Sequence, residues 1–172
     1  MASTQLSLRA MEEYVFLSAT YTLTSQTALQ KLFNSSTNGA LTVDAATSYF
    51  FECEFDLSAM SVTSGSFSFG FGGTATLTSL KYTSVASKTA IGTPSTAQIT
   101  TATVATATGL VSASITATGH AIIKGIIRIN AGGTLIPSVG LGIASAAVVG
   151  INSWFRIVPI GTNTNTQFGA WT

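Results

Sequence analysis

Three carboxylates at every second position are the first feature of the sequence that could carry chemistry. Glu52, Glu54 and Asp56 alternate with apolar side chains within the segment 48–57. Alternate side chains of a β-strand point to opposite sides of a sheet, so this segment predicts a strand with one acidic and one apolar face. The acidic face could hold a hard cation such as calcium, which takes oxygen ligands, or it could pair with basic side chains.

Three basic residues have the spacing that such pairing needs. Lys124 and Arg128 share one face of a predicted strand over 119–129, and Arg156 lies on a predicted strand over 153–160. Acids on one strand and bases on two others favour cross-strand pairing, and all six charges fall on one face of one sheet if the acidic strand lies between the other two. Two interpretations of this charged face are possible. It is either a solvated sheet face or an ion-pair network buried between subunits. A network of the second kind fixes strand register and choice of partner more than it adds stability. Calcium is disfavoured because the bases neutralise the acids and a straight strand does not wrap around an ion.

No pattern predicts a catalytic, cofactor or metal site. His120 is the single histidine and has no nucleophile motif beside it, so we interpret it as a polar residue at a strand start. Cys53, the single cysteine, is expected to be a buried thiol whose pKa is raised by burial and by its acidic neighbours. One cysteine and one histidine cannot supply a zinc ligand set. The run Gly70–Gly73 joins two predicted strands and opens no helix, so it is not a phosphate-binding loop.

Composition points to a protein that buries part of its surface against other chains. The 172 residues are enough for one domain, with or without an arm. Only 8% of them are charged, with a net charge of +1, where about 25% is usual. Hydrophobic residues make up 46% of the chain, which excludes a disordered tail. Seven scattered basic residues make a poor nucleic-acid surface, so we expect no nucleic-acid partner.

The elements that must position these residues are predicted to be strands. Thr, Val, Ile and Phe dominate from residue 14 onward, and Gly, Asn and Ser punctuate the turns. The sequence predicts an all-β protein of about eight to ten short antiparallel strands, folded as a β-sandwich or jelly roll. A hairpin-type turn is predicted over 130–133. The Ala/Thr-rich stretch 86–118 favours edge strands or ordered loops over a flexible linker.

The two chain regions are predicted to be an N-terminal arm, residues 1–13, and a β-domain, residues 14–172. The arm holds one helix-like fragment, Leu8–Glu13, which is too short to be stable alone. Its order of residues is not that of a signal peptide. The longest apolar stretch, 141–149, is about half the roughly 20 residues of a spanning helix, so we expect no membrane contact.

Residues 28–57 resemble the front half of the trimeric jelly roll of the tumour necrosis factor and complement superfamily. The resemblance is carried by Leu29-Gln-Lys-Leu-Phe-Asn34, Asn38-Gly-Ala-Leu-Thr-Val43 and Tyr49-Phe-Phe-Glu-Cys-Glu-Phe55. Thr47-Ser48 stands where that family usually has Pro-Gly. Asn152-Ser-Trp-Phe-Arg-Ile157 is similar to the family's closing strand.

Most of residues 19–172 also resemble a domain common in tailed-phage virion proteins. The run Tyr21–Asn34, the run Gly72-Gly-Thr-Ala-Thr-Leu77 and the ending Gly161–Trp171 carry this resemblance. The superfamily implies a homotrimer whose inner sheets face a threefold axis. It also implies that the acidic strand lies between the two basic ones. The trimer interface is then expected to contain Glu52, Glu54, Asp56, Lys124, Arg128 and Arg156.

These resemblances imply a non-enzymatic virion protein, a trimeric capsid decoration or cement protein on the particle surface. Its partners are expected to be copies of itself and a major capsid protein or another virion protein. Attachment to the particle is assigned to Leu6, Leu8, Arg9 and Met11 of the arm. The alternative is a fibre-head or tail-tip module that binds a host-surface glycan, which exposed aromatics such as Tyr82, Phe168 or Trp171 would favour. A secreted signalling ligand and a hydrolase are weaker alternatives.

Overall fold

The computed structural model describes residues 12–33, 39–63, 65–88, 96–111 and 117–164, and their regular structure is entirely β. The strands are β1 (Glu13–Phe16), β2 (Tyr21–Thr22), β3 (Gln30–Lys31), β4 (Leu41–Val43), β5 (Thr47–Ser58), β6 (Phe67–Gly73), β7 (Thr76–Ser87), β8 (Gln98–Ala102), β9 (Thr108–Gly109), β10 (Gly119–Ala131), β11 (Gly133–Leu141), β12 (Val148–Val149) and β13 (Trp154–Thr162). The all-β prediction is confirmed. The predicted count of about eight to ten short strands is wrong, because the described residues contain thirteen strands, of which β5, β7 and β10 run for 12 or 13 residues.

The strands form two antiparallel sheets in a sandwich-like arrangement. The large sheet has eight strands, with the order β1-β13-β5-β10-β7-β8 and with β12 and β2 attached beside β5. The small sheet has five strands, with the order β3-β11-β6-β9 and with β4 paired to β11. The chain passes repeatedly from one sheet to the other, so neighbours in sequence such as β5 and β6 lie in different layers.

Alternation along the long strands decides which side chains enter the core. Phe51, Cys53 and Phe55 of β5 are buried, whereas Glu52 and Glu54 between them are only partly buried. From the small sheet, Phe69 and Phe71 pack against them. The rings of Phe51 and Phe71 meet edge to face with centroids 5.1 Å apart, a favoured aromatic geometry. The apolar half of the alternating pattern therefore forms the core, and the charged half forms the outer face of the large sheet.

The Ala/Thr-rich stretch supplies edge strands, as its composition predicted. Within 86–118, β8 lies at one edge of the large sheet and β9 at one edge of the small sheet. Small threonine and alanine side chains suit such positions because little packing is available on the outer side of an edge. Residues 89–95 and 112–116 of this stretch lie outside the described residues.

The predicted hairpin at residues 130–133 is wrong. Strands β10 and β11 are nearly continuous in sequence, yet β10 pairs with β5 and β7 while β11 pairs with β3, β4 and β6. The chain crosses between the sheets at Gly132. A Cβ at this position would lie 2.8 Å from the carbonyl oxygen of Val43, so the crossing needs glycine for close packing. Local turn chemistry cannot tell a hairpin from a change of sheet.

The predicted arm lies almost wholly outside the described residues. This holds for the assigned attachment residues Leu6, Leu8, Arg9 and Met11, and for most of the predicted helical fragment. Glu13, the last residue assigned to the arm, is the first residue of β1. Within the described residues no helix is long and apolar enough to cross a bilayer.

Candidate interaction face

The outer face of the large sheet brings all six predicted charged residues together. Strand β5 lies between β13 and β10, as the charge pattern predicted. Glu52 stands opposite Arg156 on one side and opposite Lys124 on the other. Glu54 and Asp56 follow on the same face of β5, and Arg128 continues the face along β10.

One of these side chains, Arg156, joins three chain segments. Its Nη2 lies 2.9 Å from Oε2 of Glu52, and its Nη1 lies 3.2 Å from Oε1 of Glu12. The guanidinium therefore ties the residue before β1 to β13 and to the middle of the sheet. Since all three side chains are partly exposed, solvent screens the pairs and each contributes at most about 1 kcal/mol.

Lys124 and Arg128 do not complete the predicted cross-strand network. Among the described residues, no carboxylate lies within ion-pair distance of Lys124, although Glu52 is its register partner. Arg128 instead donates a hydrogen bond from Nη2 to the carbonyl oxygen of Asn163. The amide of Asn163 in turn donates to the carbonyl oxygen of Ile129 over 2.8 Å. Because Glu52 is already paired with Arg156, it does not pair with Lys124 or Arg128 of β10.

His120 is a member of this face that the sequence interpretation did not place there. Its Nε2 lies 3.5 Å from Oε1 of Glu54, and it stands opposite Asp56 in the register of β5 and β10. Burial raises the pKa of the Asp56 carboxyl, while His120 and a hydrogen bond from Ser153 oppose that shift. The sequence contains a signal for this position of His120. Residues 120, 124 and 128 are separated by even numbers on one strand, so their side chains lie on the same face of the sheet.

The residues around His120 do not have the hydrogen bonds of a hydrolytic triad. Ser87 stands opposite His120 on β7, so Ser87, His120 and Asp56 form a cross-strand row of suitable residue types. In a triad the imidazole directs Nε2 to the serine and bonds Nδ1 to the carboxylate. Here Nε2 faces Glu54, and Nδ1 is buried without a hydrogen-bond partner among the described residues.

Cys53 has the buried environment that was predicted for it. Its side chain is fully buried on the core side of β5, and burial raises the pKa of the thiol well above its ordinary value. The neighbouring Glu54 carboxylate adds to that rise. The thiol is therefore protonated and inert at neutral pH. No cluster of possible metal ligands is found among the described residues.

Large apolar side chains flank the charged residues on the same outer face. One row crosses the six strands of the main path, through Phe16, Trp154, Glu54, Ile122, Val85 and Ile99. Phe16 is 61% exposed, Ile122 48% and Ile99 73%. A second apolar group is formed by Phe50 and Ile126, which lie on the far side of the charged residues Arg156, Glu52 and Lys124. A single folded chain rarely exposes a contiguous patch of this kind, which is typical of an interaction surface.

An aromatic cleft lies at the β1 edge of this face. Tyr14, Phe16 and Trp154 line one side, and Glu54 and Asp56 line another. The cleft encloses about 460 Å³. It combines an apolar wall with acceptor oxygens, the usual chemistry of a small-ligand site.

Tyr82, one of the aromatic residues predicted for receptor binding, does not line this cleft. Tyr82 is 1% exposed and packs in the core, so its selection as an exposed aromatic was wrong. It lies between Leu80 and Ser84 on the inward side of β7. There its hydroxyl donates a hydrogen bond to the carbonyl oxygen of Phe69. Phe168 and Trp171 lie outside the described residues.

Comparison of the sequence with protein-family models and with curated proteins finds no match.

Proposed function

We propose that this chain is a non-enzymatic structural protein that assembles with copies of itself through the outer face of its large sheet. The observation that carries this proposal is the exposed apolar row through Phe16, Ile122 and Ile99, which runs beside a band of partly paired charges. Burial of such a row against another chain removes apolar area from water at about 25 cal/mol per Å². The low charge content of the chain favours the same interpretation.

The proposed topology is a jelly roll, and the proposed assembly is a homotrimer. Support for the topology comes from the strand orders, β1-β13-β5-β10-β7-β8 and β3-β11-β6-β9, between which the chain passes repeatedly. Two antiparallel sheets connected in this way are the arrangement that double Greek-key jelly rolls adopt. The trimer follows from the resemblance to the tumour necrosis factor and complement superfamily.

The proposed location is the surface of a tailed-phage virion, where the trimer serves as a capsid decoration or cement protein. The resemblance of residues 19–172 to a virion domain supports this location. Leu6, Leu8, Arg9 and Met11 are the proposed attachment residues, and a major capsid protein or another virion protein is the proposed partner. Glu12, the first described residue, is held by Arg156 beside β1, the edge strand of the large sheet.

Light scattering and particle binding test these two parts separately. We expect the purified full chain to have the mass of three chains. A variant that lacks residues 1–11 should keep that mass and lose co-sedimentation with particles of the phage that carries the gene. A monomeric full chain overturns the assembly proposal. A truncated trimer that still binds particles overturns the assignment of attachment to the arm.

The second candidate function is binding of a host-surface glycan by a fibre-head or tail-tip module. The aromatic cleft favours it, because the faces of Tyr14 and Trp154 offer stacking surfaces and Glu54 and Asp56 offer acceptors for sugar hydroxyls. Glycan-array binding by the full chain, lost in Tyr14→Ala with the trimer mass retained, supports this candidate. Absence of glycan binding together with loss of the trimer in Tyr14→Ala favours the structural role.

A further inference from the structure

Charges on the outer face of the large sheet are segregated by sign. We define the acidic flank as the half formed by β1, β13 and β5, which carries the carboxylates of Glu12, Glu52, Glu54 and Asp56 against the single guanidinium of Arg156. The basic flank is the half formed by β10 and β7, which carries Lys81, Lys124 and Arg128 and no carboxylate. The boundary between the flanks runs between β5 and β10.

The apolar side chains of the two flanks also differ in kind. The acidic flank has the aromatic cleft of Tyr14, Phe16 and Trp154. The basic flank presents aliphatic side chains, among which Val85 is 43% exposed and Ile99 on the edge strand β8 is exposed still further. The surface with aromatic rings and carboxylates and the surface with aliphatic and basic side chains complement each other in charge.

We propose that copies of this chain associate flank to flank, with the acidic flank of one copy packed on the basic flank of the next. The proposal rests on the self-assembly proposed above and specifies how the face is used. Pairing of unlike patches is a heterologous contact, and heterologous contacts close into rings when the rotation between copies permits. Charge complementarity then selects the partner and excludes acidic-on-acidic contact.

This arrangement gives a role to Lys124, for which no acidic partner is found among the described residues. Lys124 lies beside Glu52, which is already held by Arg156. Among the described residues, the ion-pair partner of Glu54 is His120. Contact between copies brings the unpaired ammonium of one chain to the surplus carboxylates of another, where exclusion of water strengthens the attraction.

Charge reversal tests the proposal on the full chain. Lys124→Glu and Glu54→Lys should each raise the dissociation constant of the assembly about tenfold or more, as measured by sedimentation equilibrium. The double variant E54K/K124E restores opposite charges across the contact and should return the constant to within about threefold of the original. Lys31→Glu is a matched control for Lys124→Glu, since it makes the same charge change on the small sheet and should leave assembly unaltered.

Cross-linking between isotopically distinct chains tests the contact directly. A zero-length carbodiimide reagent, which joins ammonium groups to carboxylates, is applied to a mixture of ¹⁵N-labelled and unlabelled chains. We expect mixed-label links that join Lys81 or Lys124 to Glu52, Glu54 or Asp56. Links confined to single chains, or single reversals that leave the dissociation constant unchanged, overturn flank pairing while the trimer stands. A monomeric original chain overturns the proposed self-assembly itself, so the two failures are distinguishable.

Discussion

The indole of Trp154 and the phenol ring of Tyr14 stack on the outer face of the large sheet, with centroids 5.5 Å apart and planes inclined by 10°. The two residues belong to β13 and β1, which are the closing strand and the first strand of the described chain. The stack therefore fastens the N-terminal edge strand, which has only four residues, to the body of the sheet.

Loss of this stack should loosen the edge strand. We expect Tyr14→Ala to lower the free energy of unfolding by about 0.5–1.5 kcal/mol, because the aromatic contact is lost and β1 has few others. Urea denaturation at fixed chain concentration measures the change. Val62→Ala is the matched control, since Val62 is an exposed apolar residue in a turn away from this face and should change stability by less than about 0.5 kcal/mol. Equal effects of the two variants would contradict the fastening role.

Addition of one methyl group at Gly125 should disrupt the large sheet. A Cβ at this position would lie 2.3 Å from the carbonyl oxygen of Lys81 and 2.6 Å from Cβ of Tyr82. Backbone cannot yield as a flexible side chain does, so Gly125→Ala should cost about 2 kcal/mol or more. Gly109→Ala is the control, because nothing lies within 4 Å of its added Cβ. Thermal unfolding of both variants checks this expectation, which fails if they melt together.

The carboxyl of Asp56 should make stability fall as pH rises. Burial raises its pKa in the folded protein, so the neutral form is favoured on folding. A carboxyl of this kind stabilises the fold below its unfolded pKa, near 3.8, and this contribution is lost as pH rises through the higher folded value.

Asp56→Asn isolates this contribution because asparagine keeps an acceptor oxygen for Ser153 and cannot ionise. The variant should gain stability relative to the original chain between about pH 4 and about pH 7. Urea denaturation of both proteins at each pH measures the difference. A difference that stays constant across this range would show that Asp56 ionises equally in the folded and unfolded chain.

The thiol of Cys53 should be unreactive in the folded protein. It is completely buried, and its raised pKa keeps it protonated. In buffer, Ellman's reagent should label the thiol only as fast as the protein unfolds. In concentrated urea, labelling should be immediate. Cys53→Ser should destabilise the fold by about 1–3 kcal/mol, because the new hydroxyl is placed among apolar side chains. Rapid labelling under native conditions would contradict the burial.

Strand periodicity was enough to predict the central charged strand and its two faces. The alternation in 48–57 gave the buried side of β5, with Phe51 and Phe55 inward and Glu52 and Glu54 outward. The superfamily resemblance implied its position between β13 and β10, and sign complementarity favoured the same order. Only the assignment of faces depends on a period of two residues, which a single sequence displays directly.

Sheet membership and register were not readable in the same way. The turn residues at 130–133 are equally suited to a hairpin and to a crossing between layers, and only packing of distant strands decides between them. The stack of Tyr14 on Trp154 needs the register of β1 against β13, which joins residues about 140 positions apart. Tyr82 was misjudged because its own strand has mixed polarity on its inner side, where Ser84 is also fully buried.

The crossing at Gly132 fixes where this protein can be extended. Strands β10 and β11 are separated by that one residue, and its neighbour Gly133 begins β11 at once. A foreign epitope inserted at this corner would force the two layers apart, so this end of the sandwich is closed to peptide display. The turn around the exposed Val62 lies between β5 and β6, and lengthening it leaves the pairing of both strands intact. It is therefore the natural graft point for an engineered display scaffold.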